Sequence, residues 1–446
     1  MIRNEYTMKK VAFHTLGCKV NQYETEAMEE IFLHRGYEAG TEEDCDVYVV
    51  NTCTVTHMSD AKSRRRIRRV KNHNPDAVVC VVGCYSQVSP EEVGKIPDVD
   101  ILMGTKDRAE LPLLVDRFLQ KRERIVHIAN LEEQRTFDEL SIETELETTR
   151  AVIKIQEGCD MYCTYCIIPY ARGHIASRSL NSILSEAKRL SERGFREVVL
   201  TGIHVASYGK ESGAREQGAA EDLLDVVEAI AGIDRVDRIR LSSIEPRWVN
   251  PEKLKRLRET GKFCDHFHLS LQSGSDFILE RMNRKYTTAL YEEKCRQIRE
   301  VFPDAGLTTD IIVGFPEESE ENFQETVDFC NRIGFSRIHI FPYSKREGTP
   351  AALFRGQIPN AVKKERVARL SLLEKQLRHN FMDQHVGRTL QVLFEEYSGD
   401  QENIFGYSGN YIRVRASRNC VGVNESAAVR ILSRDEDVLV GEVLQP

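Results

Sequence analysis

The sequence predicts an α/β protein in three parts: a doubly wound N-terminal domain, a partial (βα)6 barrel and a small C-terminal antiparallel β-barrel. Three observations predict it. Short Val-rich runs alternate with helical spacing over residues 9–105, six strand–helix units follow from residue 151, and the last sixty residues change to short stretches alternating apolar and polar side chains.

A chain of 446 residues is long for one ordinary domain. A composition of 41% hydrophobic and 30% charged residues is that of a soluble globular protein. No apolar run reaches the roughly 18–20 residues of a membrane span, and "MIRNEYTMKK" lacks the apolar core of a secretory signal. A cytoplasmic location without membrane association is expected. Thiols stay reduced there, so twelve cysteines read as ligands, catalysts or small buried hydrophobes, not as a disulfide framework.

In residues 1–130 the runs "KVAFHTLGC", "CDVYVVNTC" and "DAVVCVVGC" read as buried parallel strands. Each closes at a cysteine: Cys18, Cys53 and Cys84. Parallel strands share a C-terminal edge, so these thiols are expected on one rim. Unrelated buried cysteines are the competing reading. Cys80, inside the third run, reads as core, and Cys45, Cys264, Cys295, Cys330 and Cys420 have no partner spacing and read as structural.

Helical segments 21–36 and 58–73 separate these runs. The second carries "KSRRRIRRVK" (62–71), where seven of ten positions are Lys or Arg. With a net charge of −8, an RNA partner needs such a local patch. No acidic residue falls between 61 and 75, so the helix repels itself unless phosphates are near, which makes Arg64, Arg65 and Arg68 candidate RNA contacts. A solvated, salt-bridged face is the alternative. Affinity that falls steeply with salt would mark a phosphate contact.

Residues 131–150 hold seven acidic side chains and little periodicity, and read as an inter-domain connection. Strands follow at "AVIKIQEG", "REVVLTGI", "RIRLSSI", "HFHLSLQSG", "LTTDIIVGF" and "RIHIFPYS", making a second domain over 151–380. Six units are fewer than the eight of a closed barrel, so an open barrel with a lateral mouth wide enough for a macromolecule is expected. Directly after its first strand, "EGCDMYCTYC" places Cys159, Cys163 and Cys166 in C-x3-C-x2-C spacing. That loop lies at the strand end where such barrels build active sites. Three thiolates can hold three irons of a four-iron, four-sulfur cluster and leave the fourth iron open. Structural zinc wants four ligands, and no fourth Cys or His lies within a few residues. Zinc and buried free thiols remain the competing readings.

Residues 360–386 read as a charged amphipathic helix, and 381–446 as the strands of the small barrel. In "YIRVRAS", Tyr411, Arg413 and Arg415 alternate onto one face, suited to base stacking and phosphate contact. A salt-bridged barrel surface is the alternative.

The C-x3-C-x2-C motif, with Tyr165 before its third cysteine, resembles the radical S-adenosylmethionine (SAM) enzymes. The three-cysteine N-terminal domain resembles their methylthiotransferase branch, and the last domain is similar to the RNA-binding TRAM domain. The stretches "HTLGCKVNQYETEA" and "FPYSKREGTPAA" are most similar to the enzymes that methylthiolate N6-threonylcarbamoyladenosine at position 37 of tRNA. Sibling reactions on isopentenyladenosine, or on an aspartate of a ribosomal protein, are alternatives. A non-catalytic RNA-binding iron–sulfur protein is the alternative of another class.

The resemblance implies SAM and two four-iron, four-sulfur clusters. One, on Cys159, Cys163 and Cys166, would bind SAM and, once reduced, generate a 5′-deoxyadenosyl radical. The other, on Cys18, Cys53 and Cys84, would supply sulfur to C2 of the adenine. Both must then face one cavity. Implied partners are the tRNA anticodon loop, an electron donor such as flavodoxin or ferredoxin, and a sulfur source. Implied cofactor contacts are Tyr165, Gly202 and His204 of "TGIH", Gln272, Ser273, Asp310 and Glu318. The threonylcarbamoyl carboxylate needs a cation, for which Lys345 and Arg346 are candidates. Glu317 stands where the family has the second glycine of G-F-P-G-E, so an altered loop backbone is expected.

Overall fold

The computed structural model describes residues 9–54, 57–142, 149–211, 214, 216, 218–220, 222–399, 401–418 and 421–444, which leaves Cys420 outside. The N-terminal strands are β1 (Lys10–Thr15), β2 (Glu38–Ala39), β3 (Val47–Thr52), β4 (Val78–Gly83), β5 (Ile101–Met103) and β6 (Ile125–His127). They form one parallel sheet in the order β2-β1-β3-β4-β5-β6. Every residue of β3 and β4 is buried, because helices cover both faces. These helices are α1 (Lys19–His34), α2 (His57–His73), α3 (Cys84–Val88), α4 (Pro90–Gly94) and α5 (Leu111–Lys121). Phe32, Val49 and Val115 pack on one face; Tyr48, Ile67 and Val81 pack on the other. The strand order reverses between β1 and β3, and sheets of this kind open a crevice beyond the C-terminal ends at that point.

The acidic connection is a packed strap up to residue 142. Leu140 and Ile142 bury against Tyr23 and Ala27 of α1, and the Tyr23 hydroxyl donates to the Leu140 carbonyl at 2.7 Å.

The barrel strands are β7 (Arg150–Glu157), β8 (Ala176–Ser177), β9 (Glu197–Gly202), β10 (Arg238–Leu241), β11 (His266–His268), β12 (Gly306–Val313) and β13 (Arg337–Pro342). They pair as β10-β9-β7-β8 and β11-β12-β13, and single bridges from Ile239 to Phe263 and from Ile244 to Leu269 join the two sets. The result is an arc of six parallel strands with β8 antiparallel at one edge. Helices α6 (Ile168–Arg172), α7 (Leu180–Glu192), α8 (Leu223–Ala231), α9 (Pro251–Glu259), α10 (Asp276–Arg281), α11 (Thr288–Val301) and α12 (Glu320–Ile333) complete the units. Ser179, Asn250, Thr287 and Ser319 start α7, α9, α11 and α12 as side-chain N-caps, each accepting from a backbone N–H of the first turn. The outer core takes Ala151, Val198, Ile239, Phe267, Leu307 and Ile338. Strand residues alternate sides, so Arg150, Glu197, Arg240, His266, Thr308 and His339 face the barrel interior.

The long helix α13 (Asn360–Asp383) leads into β14 (Thr389–Tyr397), β15 (Asn403–Ser408), β16 (Arg413–Ser417), β17 (Ser426–Asp435) and β18 (Val438–Val443). These close in the order β14-β15-β16-β18-β17. The expected antiparallel barrel needs one correction, since β16 and β18 run parallel. Strand direction cannot alternate all the way round a closed ring of five, so one pair must be parallel. Among the described residues no helix is long and apolar enough to cross a membrane.

Candidate functional site

Cys18 is the N-cap of α1, Cys53 follows β3 and Cys84 opens α3. The three strands place them on one edge, as their positions predicted. Gly17, at φ +120°, lies so close to the next loop that a Cβ there would sit 2.9 Å from Cβ of Cys53. Asn21 ties the rim together, donating to the Thr52 carbonyl at 2.9 Å and accepting from the Cys18 thiol at 3.5 Å. Burial pushes the Cys84 thiol up to about 12, with Cys53 and Cys18 near enough to add to the shift. Cys80 is fully buried core, and Cys45, Cys264, Cys295 and Cys330 are buried structural thiols.

Cys159, Cys163 and Cys166 occupy the loop after β7. Burial raises Cys159 to about 11 and Cys166 to about 12, and the Cys163 thiol adds to both. Thiols held this high are inert as free nucleophiles at neutral pH. Coordination to a metal removes their protons outright.

Each triad also has a buried guanidinium that sequence reasoning missed. Arg284 donates to Cys163 Sγ at 3.3 Å and to the Tyr286 hydroxyl at 2.9 Å. Arg172, the last residue of α6, donates to Cys84 Sγ at 3.2 Å and to Asn21 Oδ1 at 2.8 Å. A buried cation beside a sulfur compensates the negative charge of a thiolate-ligated cluster, so both donor sets fit iron–sulfur ligation. The signal for Arg172 was an Arg directly after the apolar "IIPYA" stretch, six residues after Cys166.

Arg172 also joins the two regions. The loop bearing one triad runs into α6, whose Arg172 touches the other. Around it lies a fully buried charge cluster. Lys154 Nζ is 2.8 Å from Glu24 and 3.1 Å from Glu157, and Arg108 is 3.1 Å from Glu24. Burial alone would raise the Glu24 carboxyl, but Arg108, Arg172 and Lys154 hold it down at about 2. From the opposite side Arg346, on the loop after β13, donates to the Thr54 hydroxyl next to Cys53. The two rims therefore abut across one interface.

The expected cofactor contacts divide. A Cβ on Gly202 would lie 2.8 Å from the Gln156 carbonyl, so this crowded strand end requires glycine. His204 N–H donates to Gln156 Oε1 at 2.7 Å, while its Nε2 is buried without a partner. Burial lowers the His204 imidazole to about 4, helped by Arg284 and Arg247, so it is neutral at physiological pH. Gln272 holds a left-handed backbone at φ +74°, at the rim of β12. Asp310 lies in the interior, 3.1 Å from His268 Nε2, with His339 beside them. Tyr165, within the cysteine loop, packs against the apolar cluster of Ile278, Met282, Phe315, Tyr343 and Ala351.

Two expectations are corrected. Ser273 is fully buried, its hydroxyl engaged by Thr326 and by the Ser275 N–H, so it supports the turn. Glu318 is also buried and accepts from the Gly314 N–H and from Arg366 of α13, each at 2.6 Å, so it braces helix to loop. Glu317 holds a left-handed backbone at φ +68°, a region that favours glycine, with its carboxylate paired to Arg281.

The RNA candidates are also rearranged. On α2, Arg64 pairs with Glu92, Arg66 and Arg69 with Glu42, and Lys71 with Asp100. Acids from other elements thus relieve the self-repulsion. Lys62, Arg65 and Arg68 remain exposed on the outer face at intervals of three. Tyr411 is not on the β16 face: it precedes the strand at φ +69°, which breaks the alternation and turns its ring into the base of the barrel. There Arg150 donates to its hydroxyl at 2.9 Å, and Arg240 lies 4.4 Å over its ring. Arg413 pairs with Glu396 and Arg415 with Asp435, so both are salt-bridged on the barrel surface. Lys345 is exposed on the loop before Arg346.

Residues 153–330 match the Radical SAM superfamily, and residues 10–104 match the uncharacterized protein family UPF0004. The chain is 44% identical to the Bacillus subtilis threonylcarbamoyladenosine tRNA methylthiotransferase MtaB, covering 91% of this chain and 90% of that protein. It is 42% identical to the Aquifex aeolicus protein of the same name, over 87% of this chain and 93% of that one. A tRNA-2-methylthio-N(6)-dimethylallyladenosine synthase from Pelotomaculum thermopropionicum is 36% identical over 87% of each chain. In fold the chain resembles the radical SAM methyltransferase TsrM from Kitasatospora setae, with TM-score 0.56 and 14% identity over 78% of this chain and 77% of that one. The chain belongs to the radical SAM methylthiotransferase family, whose radical SAM domain uses SAM and a four-iron, four-sulfur cluster.

Proposed function

Proceeding from that membership, we propose that the protein places a methylthio group on C2 of N6-threonylcarbamoyladenosine at position 37 of tRNA. The observation that carries this reading is Arg172, which leaves the loop of one cysteine triad and hydrogen-bonds Cys84 of the other. A radical made at one triad can then act on a base that also meets sulfur held at the other. The similarity to two threonylcarbamoyladenosine enzymes supports the choice of nucleoside.

Cys159, Cys163 and Cys166 would hold the SAM cluster, and Cys18, Cys53 and Cys84 a second cluster. When bound, these groups supply the one-electron cleavage of SAM and the transferable sulfur. The chain supplies placement. Arg284 fixes Cys163 and keeps positive charge beside it. The crowded Gly202–Gln156 contact and the neutral His204 shape the rim over which SAM would lie. The outer core closes the barrel wall against water. Lys62, Arg65 and Arg68 offer phosphate contacts outside. A flavodoxin or ferredoxin would deliver the electron, and a separate sulfur source would restore the second cluster.

Mass spectrometry of tRNA nucleosides from cells with and without the gene tests the assignment. Loss of the 2-methylthio mark from threonylcarbamoyladenosine alone is expected. Loss from the isopentenyladenosine derivative instead would assign the sibling reaction, and no change in either would reject tRNA methylthiolation.

A further inference from the structure

Outside both cysteine triads, the inward face of β11, β12 and β13 collects three side chains able to ligate a metal. Strand register puts them there. His268 is paired with Thr308, and Asp310, two residues further along β12, is paired with His339. Residues two apart on a strand share a face, so His268, Asp310 and His339 lie on one side of three adjacent strands. One nitrogen of each ring and one oxygen of the carboxylate all lie within 4.8 Å of one another. His268 Nε2 is 3.1 Å from Asp310 Oδ2, and the rings of His268 and His339 are 5.8 Å apart, tilted by 35°. Zinc holds imidazole nitrogen and carboxylate oxygen at about 2.0–2.2 Å, which sets tetrahedral ligand atoms about 3.3 Å apart. His268 and Asp310 are already near that separation. His339 is exposed and hydrogen-bonds no described residue, so rotation of its side chain can close the remainder.

Thr308 supports the arrangement from behind. Its Oγ1 is 3.0 Å from His268 Nδ1 and 3.0 Å from His266 Nε2, with a lone pair for each. A metal-ligating imidazole donates its other N–H to such an oxygen, which fixes the ring and turns the free nitrogen to the ion. With the proton on Nδ1, the His268 Nε2 lone pair faces the Asp310 oxygen, and a cation between them removes the repulsion. The opposite tautomer gives a plain hydrogen bond from His268 to Asp310, in which His339 takes no part.

β13 is the last strand of the arc, so the cluster can be reached from outside. An opening of about 330 Å³ runs along that strand past Arg337, His339, Phe341 and Ser371. Glu374 and Asp437 are near, but Arg378 holds them at 3.1 and 2.6 Å. The ligand set therefore stays at three, the number that leaves a further position to water. Two imidazoles with one carboxylate suit zinc better than magnesium or calcium, which take oxygen ligands.

We propose that His268, Asp310 and His339 bind a zinc ion at the open edge of the barrel, on residues of neither triad. The ion ties edge strand β13 to β11 and β12. The site does not depend on which nucleoside the enzyme modifies.

The test uses the full-length enzyme with its clusters reconstituted, incubated anaerobically with Zn²⁺ and then desalted. Zinc per chain is measured by elemental mass spectrometry, the clusters by their visible absorbance, and thermal unfolding with and without Zn²⁺. Wild type should retain about one zinc per chain with its cluster absorbance unchanged, and its thermal midpoint should rise. His339→Ala, at an exposed side chain, should bind zinc at least about tenfold more weakly and lose the rise, and Asp310→Asn should do the same. A roughly hundredfold excess of Mg²⁺ should not displace the zinc. No zinc on wild type, equal retention in His339→Ala, or displacement by Mg²⁺ would overturn the site. Zinc taken up only as cluster absorbance is lost would overturn it too, because the ion would then sit on the cysteines.

Discussion

The loop triad and the sheet triad each bring three thiols together and do so by opposite routes. Cys159, Cys163 and Cys166 lie within eight residues of one loop, so local backbone alone brings them together. Cys18, Cys53 and Cys84 come from three separate strands and meet only because those strands are neighbours in a parallel sheet. Their guanidinium partners differ in the same sense. Arg284 bonds within the barrel, whereas Arg172 crosses to the other sheet and sits in a cluster of buried charges. One triad is locally assembled; the other depends on the interface.

Removing each triad gives the largest effects. The Cys159→Ala, Cys163→Ala, Cys166→Ala variant should lose 5′-deoxyadenosine formation entirely. The Cys18→Ala, Cys53→Ala, Cys84→Ala variant should keep that reaction and lose only the methylthiolated product. Loss of SAM cleavage in both would erase the distinction.

Arg172→Met and Arg284→Met come next. Removing Arg172 leaves Glu24 and Glu157 short of a buried partner, which typically costs about 3–5 kcal/mol. Thermal unfolding should shift clearly downward for Arg172→Met. Arg284→Met should mainly impair SAM cleavage, read as 5′-deoxyadenosine yield. Equal unfolding shifts would show that Arg172 carries no special share of the interface.

Acid should weaken the same interface. Glu24 is held at about 2, below its ordinary 4.5, so its contribution is fully present above 4.5 and is lost as pH falls toward 2. The thermal midpoint of wild type should drop over that window. Glu24→Gln should be less stable than wild type at pH 7 and show a shallower drop. A parallel pH profile in the two proteins would count against the carboxylate.

The smallest effect lies outside both triads. Arg65→Gln with Arg68→Gln should lower the slope of log affinity for tRNA against log salt by about two. Arg66→Gln should change it little, because Glu42 already holds that side chain. An unchanged slope in the double variant would remove the α2 face from the RNA contact.

Much of the fold was written in periodicity. The Val-rich runs became β1, β3 and β4, and the six later runs became the barrel strands, because an apolar run bounded by turns has few other stable uses. The loop triad was legible for the same local reason. The sheet triad was half legible: the strand ends were visible, but their adjacency was set by strand order. What failed were statements about where side chains point. "YIRVRAS" alternates only if Tyr411 is extended, and its left-handed backbone sends the ring inward. The arginines of α2 looked unrelieved because Glu42, Glu92 and Asp100 are remote in sequence.

By itself the sequence determined the three-part architecture, the six cysteines and their grouping, since hydrophobic period and short spacing act over a few residues. Tertiary structure alone decided that Arg172 bridges the triads and that Glu318 and Ser273 brace loops. Those outcomes rest on contacts between separate segments, 148 residues apart for Arg172 with Glu24, 53 for Ser273 with Thr326 and 48 for Glu318 with Arg366, and on burial that makes each charge find a partner. No local pattern encodes them.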